Sequence, residues 1–129
     1  MSHTISAVTL FVEDLDAAKR FYAEAFDLPV HYEDADSCVF LFGATMINLL
    51  AVSEAPGLVA PARVARAEEG VRFQLTLAVD DVDAAVARLG ARGVELLNGP
   101  LDRPWGIRTA SFRDPAGHIW EVAAPLEGA

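Results

Sequence analysis

The sequence predicts an α+β protein built as two βαβββ modules in tandem, their mixed sheets curving round a shared cleft. Three observations carry that expectation. The stretch VTLFVEDLDAA at residues 8–18 returns as LTLAVDDVDAA at residues 75–85, with 7 of 11 positions identical at a constant offset of 67. In each copy a short β-rich run gives way to apolar residues at helical spacing, so each copy reads as a strand running into a helix. After each helix come further β-rich segments bounded by turn residues. A length of 129 residues suits one such domain, with module 1 at about residues 5–52, a joint at 53–70 and module 2 at about 71–124.

In the first copy Val8, Leu10 and Val12 share one strand face, and Ala7, Thr9 and Phe11 share the other. Asp14 or Asp16 caps the helix that follows, because a carboxylate there accepts free N–H bonds and lies at the positive end of the helix dipole. Leu15, Ala18, Phe21, Tyr22, Ala25 and Phe26 make its apolar stripe, and Pro29 bars its continuation. Val30–Glu33 reads as a short strand. Cys38–Phe42 and Met46–Val52 read as a hairpin across Gly43-Ala44-Thr45.

The second copy repeats the logic. Phe73, Leu75, Leu77 and Val79 alternate with Gln74, Thr76 and Ala78; Asp81 or Asp83 caps a helix with Val82, Ala85, Val86 and Leu89 inward; Gly93 stops it. Val94–Leu97, Ile107–Phe112 and His118–Val122 read as strands. Between the last two, Asp114-Pro-Ala-Gly117 has the residues of a type I turn. The helices are expected on one side of each four-stranded sheet. The other side would then carry Ala7, Thr9, Phe11, Met46, Asn48 and Leu50 in module 1, and Gln74, Thr76, Ala78, Ile119, Glu121 and Ala123 in module 2.

The formal charge is −9 and the hydrophobic fraction 53%. An acidic field of that size disfavours phosphate backbones and so excludes nucleic acid as a partner; it suits a cationic ligand if the acids line a groove, or simply solubility. No apolar run is long enough to span a bilayer, and MSHTISAV lacks the pattern of a signal peptide. The lone Cys38 fits a reducing, cytoplasmic setting.

The segments VEDLDAAKRFY at 12–22, AVDDVDAAVARL at 78–89 and PWGIRTASFRDPAGHIWEV at 104–122 resemble the vicinal oxygen chelate superfamily of glyoxalase I, extradiol dioxygenases and bleomycin-resistance proteins. The resemblance covers nearly the whole chain. It implies the paired βαβββ fold, dimers, and in the enzymes a divalent metal held from the first and last strands of each half. Those positions here are Ala7, Asn48, Gln74 and Glu121. Ala7 has no donor atom, Asn48 and Gln74 offer amides, and only Glu121 is anionic, which is a poor set for a transition metal. No metal or other cofactor is therefore expected. His3, His31 and His118 match no usual metal spacing.

Without a metal, Glu121 on a largely apolar face needs another explanation. It pairs with an arginine such as Arg108, stays hydrated, or serves as a ligand acceptor or general base. Trp105, between Pro104 and Gly106, would stack on a planar or cationic ligand or pack over the cleft's end. Arg108 would fix an anionic group or neutralise Glu121. Gln74, Asn48, Phe11, Phe40, Phe42 and Met46 are candidate walls, with core packing the alternative for the apolar ones; Trp120 and Tyr22 belong to the core. No nucleophile–base pair or phosphate loop is evident.

Two functions follow. One is a metal-independent small-molecule binding protein of the bleomycin-resistance type, holding a planar or cationic, antibiotic-like ligand as a homodimer. The other is a lyase, isomerase or dioxygenase of the same fold using Glu121 and Gln74 with an atypical divalent metal or with none. A cleft that has lost its chemistry and serves as a dimeric interaction module is a third.

Overall fold

The computed structural model describes residues 3–126 and divides into two compact units, Met1–Glu69 and Gly70–Ala129. The first unit holds β1 (Ala7–Val12), α1 (Leu15–Ala25), β2 (Tyr32–Glu33), β3 (Ser37–Phe42), β4 (Thr45–Ala51) and the short α2 (Pro56–Val59). Its sheet order is β1-β4-β3-β2, with β1 parallel to β4 and the other pairs antiparallel. The second unit holds β5 (Gln74–Ala78), α3 (Val82–Ala91), β6 (Leu96–Asp102), β7 (Ile107–Arg113) and β8 (Ile119–Pro125), in the order β5-β8-β7-β6 with the same directions. Each unit is thus a βαβββ module with a four-stranded mixed sheet, as the repeat predicts. Among the described residues no helix is long and apolar enough to cross a membrane.

The repeated corner is built identically in both units. Asp14 Oδ1 accepts from the Ala17 amide at 3.0 Å, and Asp81 Oδ1 from the Ala84 amide at 3.1 Å. The caps are therefore the first aspartate of each pair. Both lie in extended backbone before the helix, where a short carboxylate reaches the free N–H of the first turn.

α1 packs on β3 and β4 through Ala18, Tyr22 and Ala25. Tyr22 is fully buried, stacks on Phe26 at 5.5 Å between ring centroids and lies 5.9 Å from Phe40. Leu10, Val12 and Leu49 complete this core. Lys19 Nζ meets Glu33 Oε2 at 2.7 Å and ties α1 to β2, an exposed link of small value. In the second unit α3 packs on β6, β7 and β8 with Val82, Ala85 and Leu89 against Phe112, Trp120 and Val122. Phe112 and Trp120 are cross-strand partners and both are buried.

Three boundaries differ from the sequence expectation. β2 spans two residues instead of Val30–Glu33. The hairpin turn is Gly43-Ala44, with Gly43 at φ +61° and Thr45 already paired with Phe42. β6 spans Leu96–Asp102 instead of Val94–Leu97 and runs through Gly99-Pro100. An edge strand tolerates proline because its outer N–H has no ladder partner, and the register shifts on either side of Asn98 absorb the irregularity. Gly99 is required there: at φ +90° a Cβ would lie 2.6 Å from the Thr109 carbonyl oxygen. The joint is also less irregular than expected. It carries α2, with Pro56 at its first turn, and 3-10 turns at Val52–Glu54 and Ala67–Glu69.

Candidate functional site

In a strand, alternate side chains face opposite sides, and directly paired residues share a face. With Trp120 and Val122 buried against α3, Glu121 lies on the helix-free face of the second sheet. The pairings Thr76↔Glu121, Glu121↔Ser111 and Ser111↔Asn98 place these four side chains in one row across all four strands. Within the row, the Thr76 hydroxyl donates to Glu121 Oε1 at 3.0 Å. Gln74 lies exposed on the same face of the edge strand β5, two residues before Thr76. One strand position along from Ser111, the buried Thr109 accepts at Oγ1 from Arg103 Nε at 2.9 Å, and Arg103 Nη2 donates to Asn98 Oδ1 at 3.4 Å.

The first unit repeats this arrangement with different chemistry. Thr9 and Asn48 are paired, and Asn48 Nδ2 donates to Thr9 Oγ1 at 3.4 Å. The row continues through Val39 to Tyr32. Phe11 and Met46 are half-buried on this face, and Ala7 is exposed opposite Met46. A depression of about 350 Å³ in this unit is bordered by Asp34, Asp36 and Glu54 together with Leu50 and Leu58. Asp34 is held below the usual carboxylate range by the Asp36 amide first, then by the Tyr32 hydroxyl and Ser37.

Trp105 is 68% exposed at the tip of the turn between β6 and β7. The turn itself is tied down. The Arg103 amide donates to the Ile107 carbonyl at 2.7 Å, the Gly106 amide to Arg103 at 3.1 Å, and the Leu126 amide to Gly106 at 3.0 Å. An exposed indole on an anchored turn offers stacking area at little ordering cost.

Three candidate site residues are placed elsewhere. Arg108 neither neutralises Glu121 nor faces the same way. It pairs with Asp102 at 2.7 Å and Asp83 at 3.0 Å on the helix side, and these bonds, Asp83 first, raise its pKa further. Sequence reasoning missed this because Asp83 lies 25 residues away and meets β7 only once α3 has packed. Phe40 is not a ligand wall: it pairs with Ile47 on the helix side, fully buried against Tyr22. Phe42 follows it, 5.0 Å from Phe26. The two-residue turn sets that parity, since pairing Phe42 with Thr45 brings Phe40 and Phe42 to the face of Ile47 and Leu49. Asn98, Arg103, Thr109 and Ser111 were not singled out from the sequence. Only the uncharged alternation of β7 hinted at the last two.

The superfamily's sequence profile, "Glyoxalase/Bleomycin resistance protein/Dioxygenase superfamily", matches residues 4–122. The chain belongs to that superfamily. Solved structures place this glyoxalase-superfamily chain among several kinds of member. A glyoxalase/bleomycin resistance protein/dioxygenase from Nocardioides is 26% identical, with a TM-score of 0.87 over 100% of this chain and 87% of that one. TnmS3, an antibiotic binding protein from Streptomyces sp. CB03234, is 28% identical at a TM-score of 0.73, covering 97% of both chains. A lactoylglutathione lyase from Agrobacterium tumefaciens is 27% identical at 0.73, covering 96% of this chain and 95% of that one.

The residues present do not fit the metal that the superfamily's enzymes carry. Ala7 offers no donor, the Asn48 amide nitrogen is turned to Thr9, and one oxygen of Glu121 already accepts from Thr76. Among the described residues no group of three or more His, Cys, Asp or Glu side chains could hold a metal ion. His118 is taken up by its turn, with Nδ1 2.8 Å from Asp114 Oδ2, while Asp114 also accepts from the Ala116 and His118 amides. Cys38 is buried, and burial raises its thiol pKa, which disfavours the nucleophilic thiolate.

Proposed function

We propose that this chain is a metal-independent small-molecule binding protein that holds a planar or cationic, antibiotic-like ligand without transforming it. The observation that carries the reading is the donor set at the superfamily's metal positions, where one carboxylate stands with two amides and an alanine. Glu121 then serves as an acceptor for a cationic group, and Trp105 as a stacking surface on its anchored turn. Gln74 and Asn48 supply hydrogen bonds; Phe11 and Met46 supply apolar contact. Similarity to an antibiotic binding protein supports the same reading. A cytoplasmic homodimer belongs to it, as does the absence of any cofactor.

Metal content of the purified protein and calorimetric titration with Ni²⁺, Zn²⁺, Mn²⁺ and Fe²⁺ test it. The expected result is no tight stoichiometric binding. Tight binding abolished by Glu121→Ala would overturn the reading in favour of the second one: a lyase, isomerase or dioxygenase using Glu121 and Gln74, which the retained carboxylate and the likeness to a lactoylglutathione lyase favour. For the ligand, fluorescence quenching by a panel of acridinium dyes reads Trp105 selectively, because Trp120 is 1% exposed. Trp105→Ala is expected to weaken the best dye about tenfold.

A further inference from the structure

We propose that the helix-free face of the second sheet recognises a dipolar ligand, one that carries an anionic group as well as a cationic one. This rests on the binding reading above and adds a second pole to it. The cationic pole of the ligand meets Glu121. Among the described residues its carboxylate has one hydrogen-bond partner, the Thr76 hydroxyl at Oε1, so Oε2 and the second lone pair of Oε1 remain to accept.

The anionic pole meets Arg103. Its two partners, Thr109 Oγ1 and Asn98 Oδ1, are both neutral. Three other cations among the described residues make the contrast direct: Arg108 is clamped by Asp83 and Asp102, Arg66 by Glu68 and Glu69, and Lys19 by Glu33. Arg103 is instead fixed in orientation by groups that leave its charge uncompensated. Two of its five N–H donors are used and three remain, in the planar fork that suits a carboxylate or phosphate. In a chain of formal charge −9, an arginine oriented by neutral acceptors beside a buried threonine offers an anion a fixed positive group.

The sheet sets the distance between the poles. Glu121 is on β8 and leans to Thr76 on β5, whereas the Arg103 guanidinium bridges β6 and β7. The separation is therefore about two strand spacings, roughly 10 Å. Ser111 lies between them in the Glu121 row, with its hydroxyl on the same face. A ligand with a single charge satisfies one end; a zwitterion of that span satisfies both.

The test uses ω-amino acids with the wild-type protein, followed by two-dimensional NMR. The probe is 8-aminooctanoate, which in extended form spans about two strand spacings. Octylammonium and octanoate are single-charge controls of equal carbon number, and 4-aminobutanoate is a short zwitterion. The expected result is that 8-aminooctanoate binds about tenfold more tightly than either single-charge control, while 4-aminobutanoate shows no such advantage. Arg103→Gln should erase the advantage over octylammonium, and Glu121→Gln the advantage over octanoate. The Arg103 Nε–H resonance of the wild-type protein should move with 8-aminooctanoate and octanoate but not with octylammonium, which reads the contact even if Arg103→Gln folds poorly. Equal affinities for 8-aminooctanoate and octylammonium, an unmoved Arg103 resonance, or no binding of 8-aminooctanoate up to its solubility limit would each overturn the proposal. Binding of acridinium dyes through Trp105 with no such dipolar advantage would leave the binding reading standing and remove only this one.

Discussion

The two helix-free sheet faces have the same strand order and different chemistry. In both units a threonine on the edge strand bonds a polar residue on the next strand: Thr9 with Asn48 in the first, Thr76 with Glu121 in the second. The donor has changed sides. The amide of Asn48 donates to threonine, whereas the carboxylate of Glu121 accepts from it. Beyond that pair the rows diverge, to Val39 and Tyr32 in one unit and to Ser111 and Asn98 in the other. The repeat supplies two frames of the same strand order, and on the second the polar row runs across all four strands. A sheet can do this because its faces are independent: the helix side is held to a packing pattern, and the other side is free to vary.

The largest test of this contrast is between faces. Phe40→Ala and Trp120→Ala, one in each helix-side core, are each expected to cost about 3–5 kcal/mol in urea unfolding. Asn48→Ala and Glu121→Gln on the other faces should cost less than about 1 kcal/mol. If Asn48→Ala costs as much as Phe40→Ala, the helix-free face of the first unit is core and the comparison fails. Next comes the strand that most distinguishes the second unit. Gly99→Ala should lose about 2 kcal/mol or more, because its Cβ meets the Thr109 carbonyl and the Ala110 Cα while φ is +90°. A neutral effect on the melting temperature would mean that β6 does not approach β7 so closely.

Smaller effects probe what the units share. Asp14→Ala and Asp81→Ala should each cost about 1 kcal/mol and by similar amounts, since each cap makes one equivalent bond. A twofold disparity would show that the repeated corners differ energetically. The smallest effect is confined to the first unit. Asp34 has a lowered pKa in the folded state, so its contribution is present above the unfolded value of about 3.9 and is lost as pH falls through the folded value. The urea midpoint of Asp34→Asn should therefore fall below wild type at pH 6, and the gap should close toward pH 2. A gap independent of pH would assign the turn's stability to something other than the ionised carboxylate.

Much of the frame was legible because it is written in local chemistry. The cap aspartates, the Asp114–Gly117 turn with its 3.0 Å amide-to-carbonyl bond, and the alternation of β1, β4, β5 and β8 depend on neighbours a few residues away. Glu121 was legible as a residue facing away from the helix for the same reason. The errors cluster where a strand's partner decides. Phe40, readable from the sequence as a wall or as core, is core because the two-residue turn pairs it with Ile47 on the helix side. β6 was cut short because Gly99-Pro100 ends strands in general, though not at a sheet edge with a bulge.

By itself, the sequence determined that this chain is two copies of one strand–helix–strand frame, and which face of each repeated strand meets the helix. Periodicity and capping act within a few residues, so one chain records them directly. The tertiary structure alone decided which charges meet. Arg103 and Arg108 are five residues apart and look interchangeable in the sequence. Sheet order sends one to Thr109 and Asn98 on the helix-free face and the other to Asp83 and Asp102 on the helix side. Partners brought together by strand pairing and helix packing leave no local trace, so the difference between an arginine held by neutral acceptors and one clamped by carboxylates appears only in the folded chain.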